Sequence, residues 1–325
     1  FLFKTIPLDT IKLISQNNLI EKSNYRYSTM KKMKHIVNEK IENKTYIKEF
    51  LNEDKNLEES LSKSDKISYL DLKSTYLQYE RAENRLEKDE YTKKYLNILK
   101  QRSKFKEPSS FDVKQPINPT DSHDSARLSL FYSSNDSFLF GIKPAYSDIY
   151  DMENGYLEGA YIDFFDLNFK KEKDEDIKID RFTFLKIKSL ASQDLLFKPI
   201  SWGIDASIEH FNQELFFKVK PEAGISYSLL NSIFYSNLAS NILYKANEQY
   251  ISLGTNLGFI VNSFENVKFG SSFSYDKYNK EFENRIFEIF STYKIDRNLA
   301  LNLNYKNNNL EKKQDILKFG MFYYF

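Results

Sequence analysis

The chain ends in the sequence LKFGMFYYF, residues 317–325, in which large apolar side chains recur at every second position. Successive side chains of a β-strand point to opposite faces. One face of this segment therefore carries Leu317, Phe319, Met321, Tyr323 and Phe325, whereas Lys318 and Gly320 lie on the other. An aromatic last residue that closes an alternating strand is typical of an outer-membrane β-barrel. We predict that these five residues form the signal for barrel assembly.

The composition of the whole chain is compatible with a barrel and excludes a helical membrane span. Only 41% of the residues are hydrophobic, and no run approaches the roughly 18 apolar residues that a spanning helix needs. A barrel needs an apolar side chain only at every second position of a strand. The 23 Tyr and 28 Phe suit aromatic girdles at the two membrane interfaces. An aromatic-rich soluble β protein is the alternative.

The hydrophobic period changes along the chain. Residues 1–105 have helical spacing of apolar side chains, and from residue 123 onward the spacing is two, as in strands. Three prolines, Pro108, Pro116 and Pro119, fall between these regions and disfavour regular structure. We predict a small helical periplasmic domain over 1–105, a linker over 106–122, and a barrel of about twelve antiparallel strands over 123–325.

The polar faces of the predicted strands indicate what lines the lumen. Residues 299–305 show the pattern, with Leu299, Leu301 and Leu303 on one face and Ala300, Asn302 and Asn304 on the other. The charged residues expected in the lumen are Lys143, Asp205, Lys218, Lys220, Lys268 and Lys318. Charges of both signs in a confined space tend to pair and fill it, which favours a closed lumen. A narrow small-solute channel is the alternative.

An even number of strands brings both ends of the barrel to one side, together with the helical domain. In an outer-membrane protein we expect that side to be the periplasm. The connections on the other side are short, whereas longer ones, residues 148–159 and 193–199, fall on the periplasmic side. Longer connections on a rigid scaffold often carry function. We therefore expect the functional face to point toward the periplasm.

Enzymatic chemistry has weak support in the sequence. The triplet His123-Asp124-Ser125 resembles the spacing of His and Ser in barrel enzymes such as outer-membrane phospholipase A and lipid A deacylase. No third residue that would orient the His can be assigned, so we read the triplet as the start of a strand. The absence of Cys removes thiolate metal ligands and a Cys nucleophile. We predict no enzyme, no cofactor, no metal site and no nucleic-acid partner; a lipid hydrolase is the second alternative.

Three stretches carry a family resemblance: LKQRSKF at 99–105, IKPAYSDIYDMENGYLEGAYIDFFDL at 142–167, and LKIKSLASQDLLFKPISW at 185–202. They resemble the C-terminal part of a bacterial family named for an "Lnb N-terminal periplasmic domain". The resemblance implies that a peptidase-like periplasmic domain comes first, followed by a helical region and an outer-membrane barrel. It implies that this chain is the anchor of such a domain.

The resembling stretches coincide with the longer periplasmic connections. We expect their residues to shape turns and to provide a surface on which helices or an upstream domain dock. These residues are Pro144, Tyr146, Tyr150, Gly155, Tyr156, Gly159, Pro199 and Trp202. The predicted function is a membrane anchor or assembly platform in the outer membrane. Its expected partners are outer-membrane lipid, the barrel-assembly machinery, and a periplasmic protein or upstream domain.

Overall fold

The computed structural model describes residues 28–52, 57, 59–109, 122–211, 214–246, 248–262, 265–279, 282–309 and 314–325. The chain divides into two compact units, whose described parts are helical residues 28–109 and β-stranded residues 122–325. The predicted linker over 106–122 lies largely outside the described residues, as do residues 1–27 of the predicted helical domain.

The helical unit contains four helices within its described residues. Their bounds are α1 over 28–35, which continues as a π-helical turn at Ile36–Lys40, α2 at Ile47–Asn52, α3 at Lys63–Ala82 and α4 at Lys88–Arg102. The start of α3 is set by Ser62, whose hydroxyl accepts a hydrogen bond from the backbone N–H of Asp65 at 3.0 Å. Such a side chain satisfies a backbone donor that the helix itself leaves unpaired.

A buried cation joins two of these helices. The ammonium group of Lys73, on α3, donates hydrogen bonds to the carbonyl oxygens of Phe50, at 2.9 Å, and Leu51 near the end of α2. A positive charge at the C-terminal end of a helix is favourable because unpaired carbonyls accumulate there. Among the helices within residues 28–109, none combines the length and the hydropathy needed to cross a membrane.

The second unit is built from antiparallel strands. Their bounds are β1 Arg127–Ser133, β2 Ser137–Lys143, β3 Ala145–Ser147, β4 Ala160–Glu172, β5 Lys178–Ser189, β6 Ser201–Phe211, β7 Glu214–Leu229, β8 Ser232–Ala239, β9 Ile242–Lys245, β10 Glu248–Val261, β11 Val267–Tyr278, β12 Glu283–Asp296, β13 Leu299–Asn308 and β14 Gln314–Tyr324. Successive strands pair, except that β3 pairs with β4 alone and β9 with β7 and β10, and β14 pairs with β1. The sheet therefore closes on itself and leaves no long free edge.

Two of the strands are interrupted, so the described part of the barrel has twelve strand positions. Pro144 separates β2 from β3, since proline has no N–H to donate to the ladder. Both pieces keep one register against β4, with Ile142 opposite Leu167 and Ala145 opposite Phe164. In the same way β8 and β9 keep one register against β10 across the break at 240–241. A closed antiparallel barrel of about twelve strands, as predicted from the sequence, is confirmed.

The two faces of the sheet differ as the alternation predicts. On β13, Leu301 and Leu303 point outward, whereas Asn302 and Asn304 are buried inside. The last strand behaves in the same way, with Phe319, Met321 and Tyr323 exposed on the outer face. The outer surface is therefore apolar and the lumen polar, which is the arrangement of a barrel surrounded by lipid.

Candidate functional site

The segment that joins β3 to β4, residues 148–159, folds into one end of the barrel lumen, and we call it the plug. Its Asp148, Asp151 and Met152 are buried. The Asp148 side chain accepts hydrogen bonds from the backbone N–H groups of Tyr150, at 2.8 Å, and Asp151, at 3.3 Å, which fixes a tight turn. The plug lies at the end of the barrel where β1 begins and β14 ends.

Glycines shape the second half of the plug. Gly155 and Gly159 have φ angles of 77° and 72°, in the left-handed region that side chains disfavour. At Gly159 a Cβ atom would also lie 3.0 Å from the carbonyl oxygen of Leu190. The carbonyl of Gly159 accepts a hydrogen bond from the Leu190 N–H at 2.7 Å. Glycine at position 159 thus permits close contact between the plug and the connection that follows β5.

The Asp151 carboxylate is the centre of the plug contacts. It is fully buried, with 0% of its side chain exposed. It lies 2.5 Å from Arg127 Nη1 on β1, 2.5 Å from Lys143 Nζ on β2, and 2.8 Å from the Tyr324 hydroxyl on β14. Its fourth donor is the backbone N–H of Asp148, at 2.8 Å. Three neighbouring strands therefore hold one side chain of the plug.

A second carboxylate balances the two cations of this cluster. Asp148 Oδ2 lies 2.7 Å from Arg127 Nη2 and 3.6 Å from Lys143 Nζ, and Lys143 is also 3.6 Å from Asp163 on β4. Burial by itself would raise the pKa of the Asp151 carboxyl, which lies in a connection outside the strands. The charges of Arg127 and Lys143 outweigh burial and hold that pKa well below its ordinary value. Asp151 is therefore ionised at neutral pH.

The plug also contacts the opposite wall of the barrel. Glu153 accepts hydrogen bonds from Lys268 Nζ on β11, at 2.9 Å, and from the Tyr161 hydroxyl on β4. Lys268 Nζ also donates to the carbonyl of Asp151 at 2.8 Å and lies 4.9 Å from the centre of the Tyr161 ring. In the strand order, β4 and β11 are six positions apart in a ring of twelve. Opposite walls thus meet through Glu153.

A third set of contacts involves Tyr150 and strand β12. The Tyr150 hydroxyl lies 2.6 Å from Glu288, and its carbonyl accepts a hydrogen bond from Thr292 at 2.8 Å. The ring packs edge-on against Phe290, with centroids 5.0 Å apart. Together these contacts attach the plug to β1, β2, β14, β4, β11 and β12, which include strands on opposite sides of the lumen.

Elsewhere in the lumen, charges of opposite sign pair across neighbouring strands. Arg181 on β5 lies 2.6 Å from both Asp205 and Glu209 on β6, and Lys218 on β7 is 2.6 Å from Glu209. This group is separate from the plug and bridges three strands from within. Lys220, by contrast, forms no ion pair with any residue that the structure describes.

The structure places each predicted lumen residue on the inner face. Lys143 and Lys268 bind the plug, Asp205 and Lys218 belong to the group around Arg181, and Lys220 and Lys318 face the lumen from β7 and β14. The residues of the predicted assembly signal lie on β14 or at its end. There the N–H of Phe325 donates to the carbonyl of Ala126 at 2.9 Å, and this bond extends the pairing of the first and last strands.

The residues predicted to form a docking surface fall in different places. Tyr150, Gly155, Tyr156 and Gly159 belong to the plug, and the ring of Tyr150 faces the lumen. Pro144 interrupts a strand, and Tyr146 lies in β3. The carbonyl of Pro199 accepts a hydrogen bond from Gln193 at 3.1 Å.

Trp202 lies on the outer face of β6, where lipid is expected, with 46% of its side chain exposed. The sequence predicts that Trp202, like Tyr150, belongs to a surface for a periplasmic partner. Tyr150 packs inside the lumen because the connection folds inward, and Trp202 belongs to a strand whose alternation turns it outward. The docking role itself stays a prediction.

His123 belongs to an aromatic stack beside the plug. Its ring lies 4.0 Å from the ring of Tyr324 and 5.0 Å from that of Tyr156, measured between centroids. Its Nδ1 is 2.7 Å from the carbonyl oxygen of Asp124. This packing gives His123 a structural role where the first and last strands meet.

The sequence does not single out four residues that attach the plug to the barrel wall. They are Asp151 and Glu153 of the plug, Arg127 on β1 and Glu288 on β12. The connection 148–159 was recognised as long, and its carboxylates were visible in the sequence. Some of the groups that bind them are far away in the chain, such as Lys268, which is 115 residues from Glu153. The length of the connection and its acidic residues were the only signals available for this site.

Comparison with solved structures yields outer-membrane barrels of low sequence identity. The match with the NanC porin covers 62% of this chain and 100% of the porin chain, with 6% identity and a TM-score of 0.42. The KdgM porin in complex with disordered oligogalacturonate covers 62% and 99%, with 11% identity and a TM-score of 0.39. An outer membrane channel from Pseudomonas putida F1 covers 67% and 100%, with 10% identity and a TM-score of 0.38.

The closed sheet and its apolar outer face, rather than these likenesses, show that the chain forms a transmembrane β-barrel. No curated protein sequence matches it. The resemblance to the family named for the Lnb N-terminal periplasmic domain stays a prediction. One family model matches residues 116–325, which include all fourteen strands of the barrel and the plug. The chain therefore belongs to the family described as a domain of unknown function, DUF7840.

Proposed function

We propose that this protein is an outer-membrane anchor whose barrel is closed by its own plug, and that it carries a periplasmic domain or complex. The observation that supports the proposal most directly is the burial of Asp151 among donors from β1, β2 and β14. Together with the contact of Glu153 with β11, it closes the lumen without any second protein. A barrel closed in this way holds a protein in the membrane without conducting solutes.

The direction of the barrel follows from the position of its ends. Arg127 pairs with Tyr324 and Leu128 pairs with Tyr323, so the start and the end of the barrel lie on the side of the plug. In the proposal this side faces the periplasm, so that a domain preceding the barrel would lie there too. The connections at the opposite end are short, such as Ser134–Asp136, and offer little surface to a partner outside the cell.

A gated channel is the second candidate, and one observation favours it. The contacts that hold the plug are mainly polar, and the plug joins two pieces of the sheet without taking part in the ladder. Its release would therefore leave the strand pairs intact. Lys220 and Lys318 would then face an aqueous lumen in which anionic solutes are attracted.

Conductance of the purified chain in planar lipid bilayers tests the closed state. We expect no steady open-channel current from the wild-type protein. A variant in which residues 149–158 are replaced by a short Gly-Ser linker removes Tyr150, Asp151 and Glu153 together. Current only in this variant would support closure of the lumen by the plug. Steady current from the wild-type protein would contradict a closed anchor.

Sidedness requires a separate measurement in intact cells. The chain contains no Cys, so a single Ser103→Cys variant in the helical unit can be labelled selectively. Under the proposal, a membrane-impermeant maleimide leaves position 103 unlabelled until the outer membrane is permeabilised. An Asp136→Cys variant, in the turn between β1 and β2, should be labelled in intact cells. The reverse pattern would place the helical unit outside the cell and refute the proposed direction.

A further inference from the structure

The turn between β7 and β8 has an unusual composition. It consists of Leu230 and Asn231, whose φ angles are 50° and 58°. Two-residue hairpin turns of this left-handed type favour Asn and Gly, whereas Leu is disfavoured because its Cβ crowds the backbone. The Leu230 side chain is also 84% exposed. An apolar residue thus stands at a position where backbone conformation and contact with water both disfavour it.

Other exposed apolar side chains lie at the same end of the barrel. Leu229, the last residue of β7, is 62% exposed, and Ile200, directly before β6, is 67% exposed. The pairing of Ser201 with Gly224 places Ile200 level with Ile225, four residues before Leu229. We call Ile200, Leu229 and Leu230 the apolar tip.

The apolar tip continues the lipid-facing surface of β7. The outward positions of this strand carry no charge from one end to the other: they are Leu215, Phe217, Val219, Pro221, Ala223, Ile225, Tyr227 and Leu229. The 14 residue steps from Leu215 to Leu229 correspond to about 46 Å along the strand, or about 35 Å along the barrel axis at a tilt of about 40°. The usual apolar band of such barrels is about 25 Å tall. The uncharged face of β7 is therefore about 10 Å taller than that band.

We propose that the apolar tip is inserted in the phospholipid leaflet at the plug end of the barrel, at the level where acyl chains meet headgroups. The continuity of the tip with the outer face of β7 argues for lipid, since no charged side chain separates the two. Three side chains also offer much less area than a stable protein–protein interface needs. Tyr227 does not require a headgroup partner, because its hydroxyl lies 3.3 Å from Gln193 Oε1.

Site-directed fluorescence can test this placement because the chain has no Cys. The Leu230→Cys variant and a matched control, Asp136→Cys at the β1–β2 turn of the opposite end, are labelled with an environment-sensitive fluorophore. Both full-length variants are refolded into phosphatidylcholine vesicles containing phosphatidylglycerol. Brominated lipids should quench the label at position 230 at least threefold more than the label at position 136. Aqueous iodide should show the opposite order by a similar factor.

Trp202, the only tryptophan of the chain, provides an internal reference for a lipid-facing position on β6. Quenching of Trp202 by brominated lipid shows that each variant has folded into the bilayer. If Leu230→Cys fails to fold, Leu229→Cys carries the same expectation. Equal iodide quenching at positions 230 and 136, with no effect of brominated lipid at 230, would overturn the proposal. The same result is expected if a protein partner, and not lipid, covers the apolar tip in cells.

Discussion

Replacement of Asp151 by Asn is the most direct perturbation of the plug. The change keeps the size of the side chain but removes the charge that Arg127 Nη1 and Lys143 Nζ both contact at 2.5 Å. Arg127 retains Asp148, at 2.7 Å, whereas Lys143, 1% exposed, is left with carboxylates no nearer than 3.6 Å. The variant therefore buries a cation without a close counter-ion.

The expected cost is large for a single substitution. Removal of one partner from a buried ion pair typically destabilises a protein by about 3–5 kcal/mol, because the remaining charge stays desolvated. The hydrogen bond from the Tyr324 hydroxyl, 2.8 Å long, persists to an amide oxygen and is weakened, since it no longer has a charged acceptor. We expect Asp151→Asn to lower the free energy of unfolding by about 3 kcal/mol or more.

Urea unfolding of the chain in lipid vesicles, followed by Trp202 fluorescence and by heat-modifiable mobility on gels, measures this difference. Asp136→Asn is the matched control. Asp136 lies in an exposed turn with a φ of 56°, which Asn tolerates, and its carboxylate accepts one hydrogen bond from Tyr132. The control should change the free energy of unfolding by no more than about 0.5 kcal/mol. A value for Asp151→Asn within 1 kcal/mol of the wild type would refute the role assigned to Asp151.

Two further predictions concern pH and the last residue. The pKa of Asp151 is held below its unfolded value of about 4, so its contribution to stability is present above about pH 4 and is lost as the pH falls through the folded value. The difference in unfolding free energy between the wild type and Asp151→Asn should therefore stay constant from about pH 7 to pH 5 and shrink below about pH 4; shrinkage already at pH 6 would contradict the assignment. Deletion of Phe325 removes the outermost bond between the first and last strands, the 2.9 Å contact with Ala126. We expect a several-fold lower yield of folded barrel in cells, measured by heat-modifiable mobility, with little change in unfolding of the barrel that does form; an unchanged yield would count against the assembly signal.

The barrel could be predicted from the sequence because its signal is local. Alternation such as that of Leu299–Tyr305 depends only on which neighbouring side chains share a face, and a one-residue shift would turn apolar side chains into the lumen. Interruptions were harder to predict. The sequence predicts a turn at Pro144, but both β2 and β3 pair with β4, so Pro144 lies within one strand position of the barrel wall. Local signals also set the helices, because the side chain of Ser62 caps α3 at its start.

The plug could not be predicted in the same way. The sequence predicts a long connection over residues 148–159, but it does not predict that this connection turns into the lumen. Whether Tyr150 points to a partner or into the lumen depends on Glu288 and Thr292, more than 130 residues away. No local pattern encodes such a pairing.

The sequence by itself determined that this protein is a barrel of about twelve strands, which face of each strand meets lipid, and that charged residues such as Lys218 and Lys268 lie in the lumen. These properties follow from the two-residue period of a strand, which acts over neighbouring residues. Tertiary structure alone decided that the connection after β3 folds into the lumen. Asp151 meets Tyr324, and Glu153 meets Lys268, only when β14 pairs with β1 and the connection after β3 turns inward, because contacts between distant residues form only once the chain has folded.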